Sequence, residues 1–90
     1  MDTSQANFLP SVSVVMPVYN GTRTLGESVN SVLSQTHRDF ELIICNDAST
    51  DGTGIILENI RDERVRVIHN ESNLGEGLAR DRAIAAAPTD

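Results

Sequence analysis

Three short apolar runs recur along the chain at intervals of roughly 25 residues, and this spacing constrains the fold more than any other feature. Residues 12–16, 40–45 and 65–69 are rich in Val and Ile, which favour strands. A polar loop and then a stretch of helical periodicity follow each run. Alternating units of this length predict an α/β fold in β-α-β-α-β-α order, with a parallel sheet and helices on its faces.

The first helical stretch places its apolar residues on one face, formed by Leu25, Val29, Val32 and Leu33. Thr24 and Glu27 have the spacing of a capping box at its start. Thr22 is an equally good first cap, so the sequence leaves both starts open.

The two later helical stretches are shorter or less amphipathic. In the second, we expect Ile56, Leu57 and Ile60 to point inward and Asp51 to be the N-cap. The third covers residues 78–87, is rich in Ala, and is ended by Pro88, which cannot continue a helix.

The composition is that of a globular chain with an aliphatic core, and the charge narrows the range of partners. Hydrophobic residues make up 39% and charged residues 22%, with only two Phe and one Tyr. The net charge of −6 disfavours nucleic acid and anionic lipid surfaces, so we expect no nucleic-acid partner. A phosphate-bearing ligand stays possible, because backbone N–H groups and one or two cations can hold it locally.

The sequence also bears on the compartment. Residues 1–10 are polar and predict a flexible leader that lacks the features of a signal peptide. No apolar run approaches ~20 residues, so we expect no membrane segment in this chain. Cys45 is the one cysteine and is expected in the core, which is compatible with a reducing compartment. We therefore expect a cytoplasmic location.

Three polar loops follow the three predicted strands, at residues 17–21, 46–52 and 70–77. In open α/β sheets, ligands bind at the carboxyl ends of the strands. These loops also hold nearly all the Asn, Asp, Gly and Ser residues that the strands and helices lack. They are therefore the candidate binding loops.

The first two loops each offer a candidate contact to a nucleoside. Pro17, Val18 and Tyr19 predict a flat shelf with an aromatic ring that can face a base, although an ordinary turn with a half-buried Tyr has the same sequence. Asp47 lies too early to cap the next helix, so we expect it to accept a hydrogen bond from a base or ribose. For Ser49 and Asp51 we favour the helix-capping interpretation.

The third loop contains Gly75 and Gly77, which partly match a dinucleotide-binding fingerprint. The match is incomplete, because Arg80 stands where close packing of helix on strand requires Gly or Ala, and because the loop follows the third strand. We favour a turn that delivers the guanidinium of Arg80 to a diphosphate, with an exposed Arg as the simpler alternative.

Other chemistries lack their residues. His37, His69 and Cys45 do not have metal-ligand spacing. The chain has neither a serine-nucleophile elbow nor a phosphate-binding loop with Gly-Lys-Ser/Thr. We therefore assign no catalytic residue and no metal ligand to this chain.

The motifs together resemble the family 2 inverting glycosyltransferases, which have the GT-A fold. The resemblance covers residues 12 to about 87 and is carried by VSVVMPVYN (12–20), SVLSQT (31–36), FELII (40–44), NDASTDGT (46–53), NLG (73–75) and AR (79–80). It implies that Pro17, Val18 and Tyr19 form the base shelf, that Asp47 bonds the base, and that Arg80 faces the diphosphate. Asp81 departs from the Asn that is common after this Arg.

The resemblance also implies what these residues do not supply. The family holds manganese or magnesium through an Asp-x-Asp triplet, and no such triplet occurs here. A carboxylate that activates the acceptor hydroxyl is expected further on as well. We therefore expect residues 11–90 to be the N-terminal, nucleotide-binding half of a glycosyltransferase domain, inactive alone, with a nucleotide sugar as ligand and a UDP-sugar favoured.

Two alternatives stay open at this stage. The chain could be a structural or interaction half-domain without a working site, or a fragment of a nicotinamide-dinucleotide oxidoreductase that uses Gly75 and Gly77. An incomplete sheet would also leave an open edge and an uncovered apolar face, so we expect the isolated chain to self-associate.

Overall fold

The computed structural model describes residues 12–35 and 39–87, and in them the predicted alternation of strands and helices is confirmed. The predicted leader, His37 and Pro88 lie outside the described residues. The elements, in chain order, are β1 (Val12–Val18), α1 (Leu25–Leu33), β2 (Phe40–Asn46), α2 (Thr53–Glu58), β3 (Val65–His69) and α3 (Glu76–Ala86).

The three strands form one parallel sheet in the order β1-β2-β3. β2 is the central strand, and nearly all of its residues are buried, as the apolar run at its centre predicts. The register pairs Val18 with Asn46, and Asn46 with His69. The three strands therefore end at the same level, and their following loops start side by side.

β2 separates two apolar clusters, because successive side chains point to opposite faces of the sheet. On one face, α1 and α2 pack on it through Leu25, Val29 and Leu57, which meet Phe40, Leu42 and Ile44. On the other face, α3 packs against β1 and β2. Its Ala79 and Ala83 are fully buried against Ile43 and Cys45, and their small side chains allow a close approach of helix to sheet. The core position predicted for Cys45 is confirmed.

The apolar face predicted for α1 is confirmed, but its capping box is not formed. Thr24 occupies the N-cap position without a side-chain cap bond to the helix. Thr22, the other candidate, donates its hydroxyl to the Asp51 carboxylate 3.2 Å away. The hydroxyl of Thr22 therefore contacts the loop that follows β2, and the start of α1 has no side-chain cap.

The predictions for α2 and α3 are partly wrong. Leu57 is buried and Ile60, just after the helix, packs on the core, as predicted, but Ile56 is exposed. The N-cap of α2 is Gly52, although the carboxylate of Asp51 does accept the N–H of Thr53 at 2.9 Å. α3 begins at Glu76, two residues before the predicted start.

Candidate functional site

The register of the sheet gathers the first residue after each strand at one edge. Tyr19, Asp47 and Asn70 follow the paired strand ends directly. The backbone ladder continues into these residues: the N–H of Asp47 donates to the Val18 carbonyl, and the N–H of Asn70 donates to the Asn46 carbonyl, both at 2.8 Å. The sheet thus fixes the start of three loops, which we call the first loop (residues 19–24), the second loop (47–52) and the third loop (70–75).

The predicted base shelf lines an open cleft of about 250 Å³ between the end of β1 and the start of α1. Tyr19 is 51% exposed and forms part of its rim. The structure therefore brings Pro17, Val18 and Tyr19 together at one surface, as expected. The complete lining is Met16, Pro17, Val18, Tyr19, Gly21, Thr24, Leu25 and Ser28.

The first and second loops are joined by a set of hydrogen bonds that we call the Asn20 junction. The N–H of Asn20 donates to the Ser49 hydroxyl at 3.0 Å, and its side-chain oxygen accepts the N–H of Thr50 at 2.8 Å. The N–H of Gly21 donates to the hydroxyl of Thr53, which is fully buried at the start of α2. Ser49 therefore joins two loops, and its predicted role as a helix cap is wrong.

Asp51 completes the Asn20 junction. Its carboxylate accepts the hydroxyl of Thr22 and the N–H of Thr53. The pKa of Asp51 is lowered by hydrogen bonds from Thr53, of which the side-chain bond has the largest effect. Bonds from Thr22 also lower it, whereas burial raises it. Asp51 thus stays ionised and supports both a loop contact and the start of α2, which agrees with a structural role.

The second and third loops meet at Asp47, in what we call the Asp47 junction. Oδ1 of Asp47 accepts the side-chain amide of Asn70 at 2.8 Å and the N–H of Leu74 at 2.9 Å. Oδ2 accepts the N–H of Gly75 at 2.9 Å, and the Asp47 carbonyl accepts the side chain of Asn73 at 3.3 Å. One residue therefore holds the whole third loop.

Asp47 is only 2% exposed in this arrangement. The N–H of Leu74 is the largest influence on its pKa, followed by the amide of Asn70, and both lower it, as does Gly75, while burial acts in the opposite sense. Asp47 is therefore a buried, ionised acceptor, and the donors now bonded to it are all from the third loop. The structure brings Asp47 beside the predicted base shelf through the Val18 carbonyl.

Arg80 lies on the second turn of α3, with its side chain about half exposed. Its guanidinium forms an ion pair with Glu76 at 3.0 Å, at the i, i+4 spacing of a helix. Such exposed pairs are worth only about 0.3–0.5 kcal/mol. The guanidinium is therefore easily available to an anionic ligand. Asp81 is exposed on the same helix.

Each loop contains one residue with a left-handed backbone. The φ angles are 53° at Asn20, 63° at Ala48 and 91° at Gly75. Asn and Gly adopt this region readily, whereas an alanine carries a steric penalty there. Backbone strain therefore falls on Ala48, the neighbour of Asp47 in the loop that both junctions share.

A second cleft, of about 300 Å³, lies on the other side of the third loop. Its lining is His69, Asn70, Glu71, Ser72, Leu74 and Arg82. Asn70 thus separates this cleft from Asp47. Sequence reasoning missed Asn70 and the buried Thr53 as site residues. The available signal for Asn70 was its position, since a polar residue directly follows β3 just as Asp47 directly follows β2.

Two further features bear on function. Within residues 12–35 and 39–87, no group of three or more His, Cys, Asp and Glu side chains is arranged to hold a metal ion. The donor set of these residues therefore does not fit a divalent cation.

In the same part of the chain, no helix is both long enough and apolar enough to cross a membrane.

A parallel α/β sheet with polar loops gathered at its carboxyl edge is the architecture of nucleotide-binding α/β proteins. Residues 13–90 match the family described as "Glycosyl transferase family 2", so the chain belongs to this family. The resemblance seen in the sequence is thereby confirmed.

Similar proteins include named glycosyltransferases. TuaG of Bacillus subtilis (strain 168), a putative teichuronic acid biosynthesis glycosyltransferase, is 43% identical over 83 residues, which are 90% of this chain and 33% of the relative. WfgD of Escherichia coli, a UDP-Glc:alpha-D-GlcNAc-diphosphoundecaprenol beta-1,3-glucosyltransferase, is 38% identical over 76 residues, 84% of this chain and 30% of the relative. The chain thus spans about a third of the length of these relatives.

Solved structures confirm the expected GT-A type of fold. The structure of S. aureus TarS 1–349 in complex with UDP-GlcNAc matches with a TM-score of 0.78 at 33% identity, over 86% of this chain and 23% of that one. The mannosyltransferase PcManGT from Pyrobaculum calidifontis, solved with GDP-Man and Mn²⁺, matches with a TM-score of 0.79 over 90% of this chain and 25% of that one. At 24% identity, this second likeness shows the fold alone.

Proposed function

We propose that this chain holds the nucleotide of a nucleotide-diphosphate sugar, in a glycosyltransferase that passes the sugar to an acceptor hydroxyl with inversion. The observation that carries the proposal is the open cleft of Pro17, Val18 and Tyr19, in which the Val18 carbonyl accepts the backbone N–H of Asp47, in a member of glycosyl transferase family 2. An aromatic face and an ionised acceptor on adjacent loops suit a base with a ring N–H.

The base stacks on Tyr19 in this proposal. The ring is half exposed and lines the cleft, so a base can cover it without displacing core residues. Stacking of a base on an aromatic side chain is worth about 1–3 kcal/mol. Tyr19 is therefore the side chain whose removal tests the proposal most simply.

Asp47 accepts the ring N–H of the base. A carboxylate offers about four lone-pair positions, and donors from the third loop occupy three of them. Because Asp47 is almost completely covered, the base reaches it when the exposed end of the third loop, at Leu74 and Gly75, draws back. The carboxylate then exchanges protein donors for a ligand donor.

Arg80 binds the diphosphate. The chain has a net charge of −6, so a dianionic ligand needs a local cation to offset the overall field. The planar guanidinium suits bidentate contact with phosphate oxygens, and its exposed pair with Glu76 is weak enough to be exchanged.

A UDP-sugar is the favoured donor. TarS was solved with UDP-GlcNAc, and WfgD is named for a UDP-Glc donor. The names of TuaG and WfgD refer to teichuronic acid and to a diphosphoundecaprenol acceptor. By analogy we infer a cell-envelope polysaccharide as the product, and a cytoplasmic location or the inner face of the membrane for the whole protein.

The manganese or magnesium ion expected from the family, and the base that activates the acceptor, need side chains other than those described. The donor set of residues 12–35 and 39–87 does not fit a metal ion. Residues 11–90 alone are therefore expected to bind the nucleotide and to transfer no sugar.

Self-association of the isolated chain is a further part of the proposal. β1 and β3 are the edges of the three-stranded sheet, and Leu78 and Ile84 of α3 are more than half exposed. Open strand edges and exposed apolar side chains favour association. Light scattering over a range of concentrations checks this, and a monomer at the highest concentration would count against it.

The binding experiment is a calorimetric titration of the chain with UDP, compared between wild type, Tyr19→Ala and Tyr19→Phe. We expect saturable binding to wild type, a loss of about 5- to 150-fold in affinity for Tyr19→Ala, and a change within about twofold for Tyr19→Phe, which keeps the ring. Absence of saturable binding to wild type would favour a structural half-domain. Preference for a nicotinamide dinucleotide over UDP would favour the oxidoreductase alternative.

A further inference from the structure

We propose that Asn70 is a positioning residue, whose side-chain amide keeps the Asp47 carboxylate oriented toward the nucleoside base. The inference rests on the proposed function, because it assigns a helper to the residue that accepts the base N–H. It concerns the three donors to the Asp47 carboxylate, which differ in how firmly the rest of the chain holds them.

Asn70 is the donor that the sheet holds directly. Its backbone N–H continues the ladder between β2 and β3 by donating to the Asn46 carbonyl at 2.8 Å. Its side chain donates to Oδ1 of Asp47 at the same distance, and the residue is more than nine-tenths buried. Backbone and side chain of Asn70 therefore bond two successive residues of the chain segment that leaves β2.

Leu74 and Gly75 lie at the exposed end of the third loop. The backbone at Gly75 has a φ of 91°, and its N–H is shared between Asp47 and the side chain of Asn73. Both residues are more exposed than Asn70, and Gly75 has a second partner for its N–H, so their bonds are exchanged at less cost than that of a buried donor held by a strand. When a base N–H approaches Asp47, the bonds from Leu74 and Gly75 are the ones that yield, and the bond from Asn70 stays.

The orientation of the Asn70 amide supports this assignment. Within the described residues, its Oδ1 is buried without a hydrogen-bond partner, which is rare in folded proteins. The opposite orientation would place that oxygen against the ionised carboxylate of Asp47. A hydrogen bond from Asn70 also lowers the pKa of the Cys45 thiol, against burial, which is the larger effect and raises it. The amide thus directs an N–H group to Asp47 and leaves its oxygen unpaired within the described residues.

The test replaces the donor with an ionisable group of the same shape. UDP affinity is measured for wild type, Asn70→Asp and Asn59→Asp between about pH 5 and about pH 8, a range that lies above the ordinary Asp pKa of about 3.9. Asn59 is a matched control, because its side chain is exposed and bonds only the Ile55 carbonyl in the described residues. Each variant is compared with wild type at the same pH, so that titration of UDP itself cancels.

We expect Asn70→Asp to weaken UDP binding by about tenfold or more near pH 8, because two adjacent carboxylates repel each other. As the pH falls, the two carboxyl groups take up one proton between them, and the resulting O–H restores a hydrogen-bond donor to Asp47. The defect should then shrink to within about threefold of wild type. Asn59→Asp should follow wild type throughout. A defect of Asn70→Asp that does not change with pH, or no defect at all, would overturn the proposal.

A second measurement uses the wild-type chain, in case Asn70→Asp does not fold. In the UDP complex, the side-chain N–H resonances of Asn70 should keep their slow hydrogen exchange, while the backbone N–H groups of Leu74 and Gly75 exchange faster. The reverse pattern would show that Asn70 is the donor displaced and would refute the inference. If wild type does not bind UDP, the proposed function fails and the role of Asn70 falls with it.

Discussion

The two junctions at the carboxyl edge hold their loops in different ways. At the Asn20 junction, several hydrogen bonds are spread over residues of both loops, one of them to the ionised carboxylate of Asp51, and most of them are exposed. At the Asp47 junction, one buried carboxylate collects three donors from the third loop. The first arrangement is redundant, so losing one bond leaves others in place. The second depends on a single side chain.

The difference suits the roles proposed for the two regions. The first loop presents a ring to a base and needs a steady position, which many small contacts provide. The third loop covers the acceptor of the base and must release it, which is simplest when one carboxylate accepts most of the bonds that hold it. Asp47 is therefore both the acceptor and the point that holds its cover.

The largest effect is expected for Asp47→Asn. The amide keeps one acceptor oxygen but loses the charge and directs N–H groups toward Gly75, so the bonds of the third loop weaken together. Hydrogen exchange at Leu74 and Gly75 should accelerate by about tenfold or more, while Thr50 and Gly21 in the Asn20 junction keep their rates.

Asp81→Asn is the matched control for that variant, since it makes the same change of charge at an exposed position of α3. It should leave exchange in the third loop unchanged. Equal acceleration in both junctions by Asp47→Asn would show that the two junctions are not independent and would contradict the comparison.

Acid should affect the junctions through the carboxylates that hold them. The pKa values of Asp47 and Asp51 are both lowered in the folded chain. Their contribution to stability is therefore complete above the ordinary Asp value of about 3.9 and is lost as the pH falls through the lowered values. The stability difference between wild type and Asp47→Asn, measured by urea unfolding, should narrow below about pH 4. A difference that stays constant to lower pH would contradict the role of the ionised carboxylate.

A smaller effect is expected for Thr53→Val, which breaks the contact that the fully buried Thr53 makes in the Asn20 junction. Valine has the same shape but leaves the N–H of Gly21 without its partner. The free energy of unfolding should fall by about 1–3 kcal/mol. Thr50→Val is the control, because the Thr50 hydroxyl makes an exposed bond of 3.4 Å, and its change should stay within about 0.5 kcal/mol. Equal losses in the two variants would argue against a buried anchor at Thr53.

The smallest effect is expected for Ala48→Gly in the second loop, between the two junctions. The alanine has a φ of 63°, where glycine has no steric penalty. Relief of strain exceeds the entropy cost of glycine only slightly, so stability should rise by about 0–1 kcal/mol. Ala85→Gly, at an exposed position of α3, should lower stability by about 1 kcal/mol. Thermal unfolding of both variants checks the opposite signs, and a loss at both positions would contradict strain at Ala48.

Much of the fold follows from local pattern. The apolar run of β2, the alternation of strands and helices, and the polar loops at one edge all come from residue type and spacing. The errors concern the short helix α2: Gly52 takes the cap that was predicted for Asp51, and Ile56, predicted to point inward, is exposed. These outcomes depend on how each short helix packs, which local propensity does not determine.

The sequence predicts which residues form the site but not which contacts they make with one another. Pro17, Val18 and Tyr19 lie together because they are neighbours in the sequence. The ion pair of Arg80 with Glu76 was also readable from its spacing of four residues. The bonds of Asp47 to Asn70, Leu74 and Gly75 join positions more than 20 residues apart and arise only from the register of β2 with β3. That register makes Asp47 a support of the fold as well as a candidate ligand.

The most direct test of the central claim is chemical-shift mapping of the ¹⁵N-labelled chain during titration with UDP. The account predicts saturable shifts of the backbone N–H groups of Val18, Tyr19, Asp47, Leu74 and Gly75, which surround the base cleft and the Asp47 junction. Shifts confined to the second cleft around Ser72 and Arg82, or no saturable shifts at all, would contradict it.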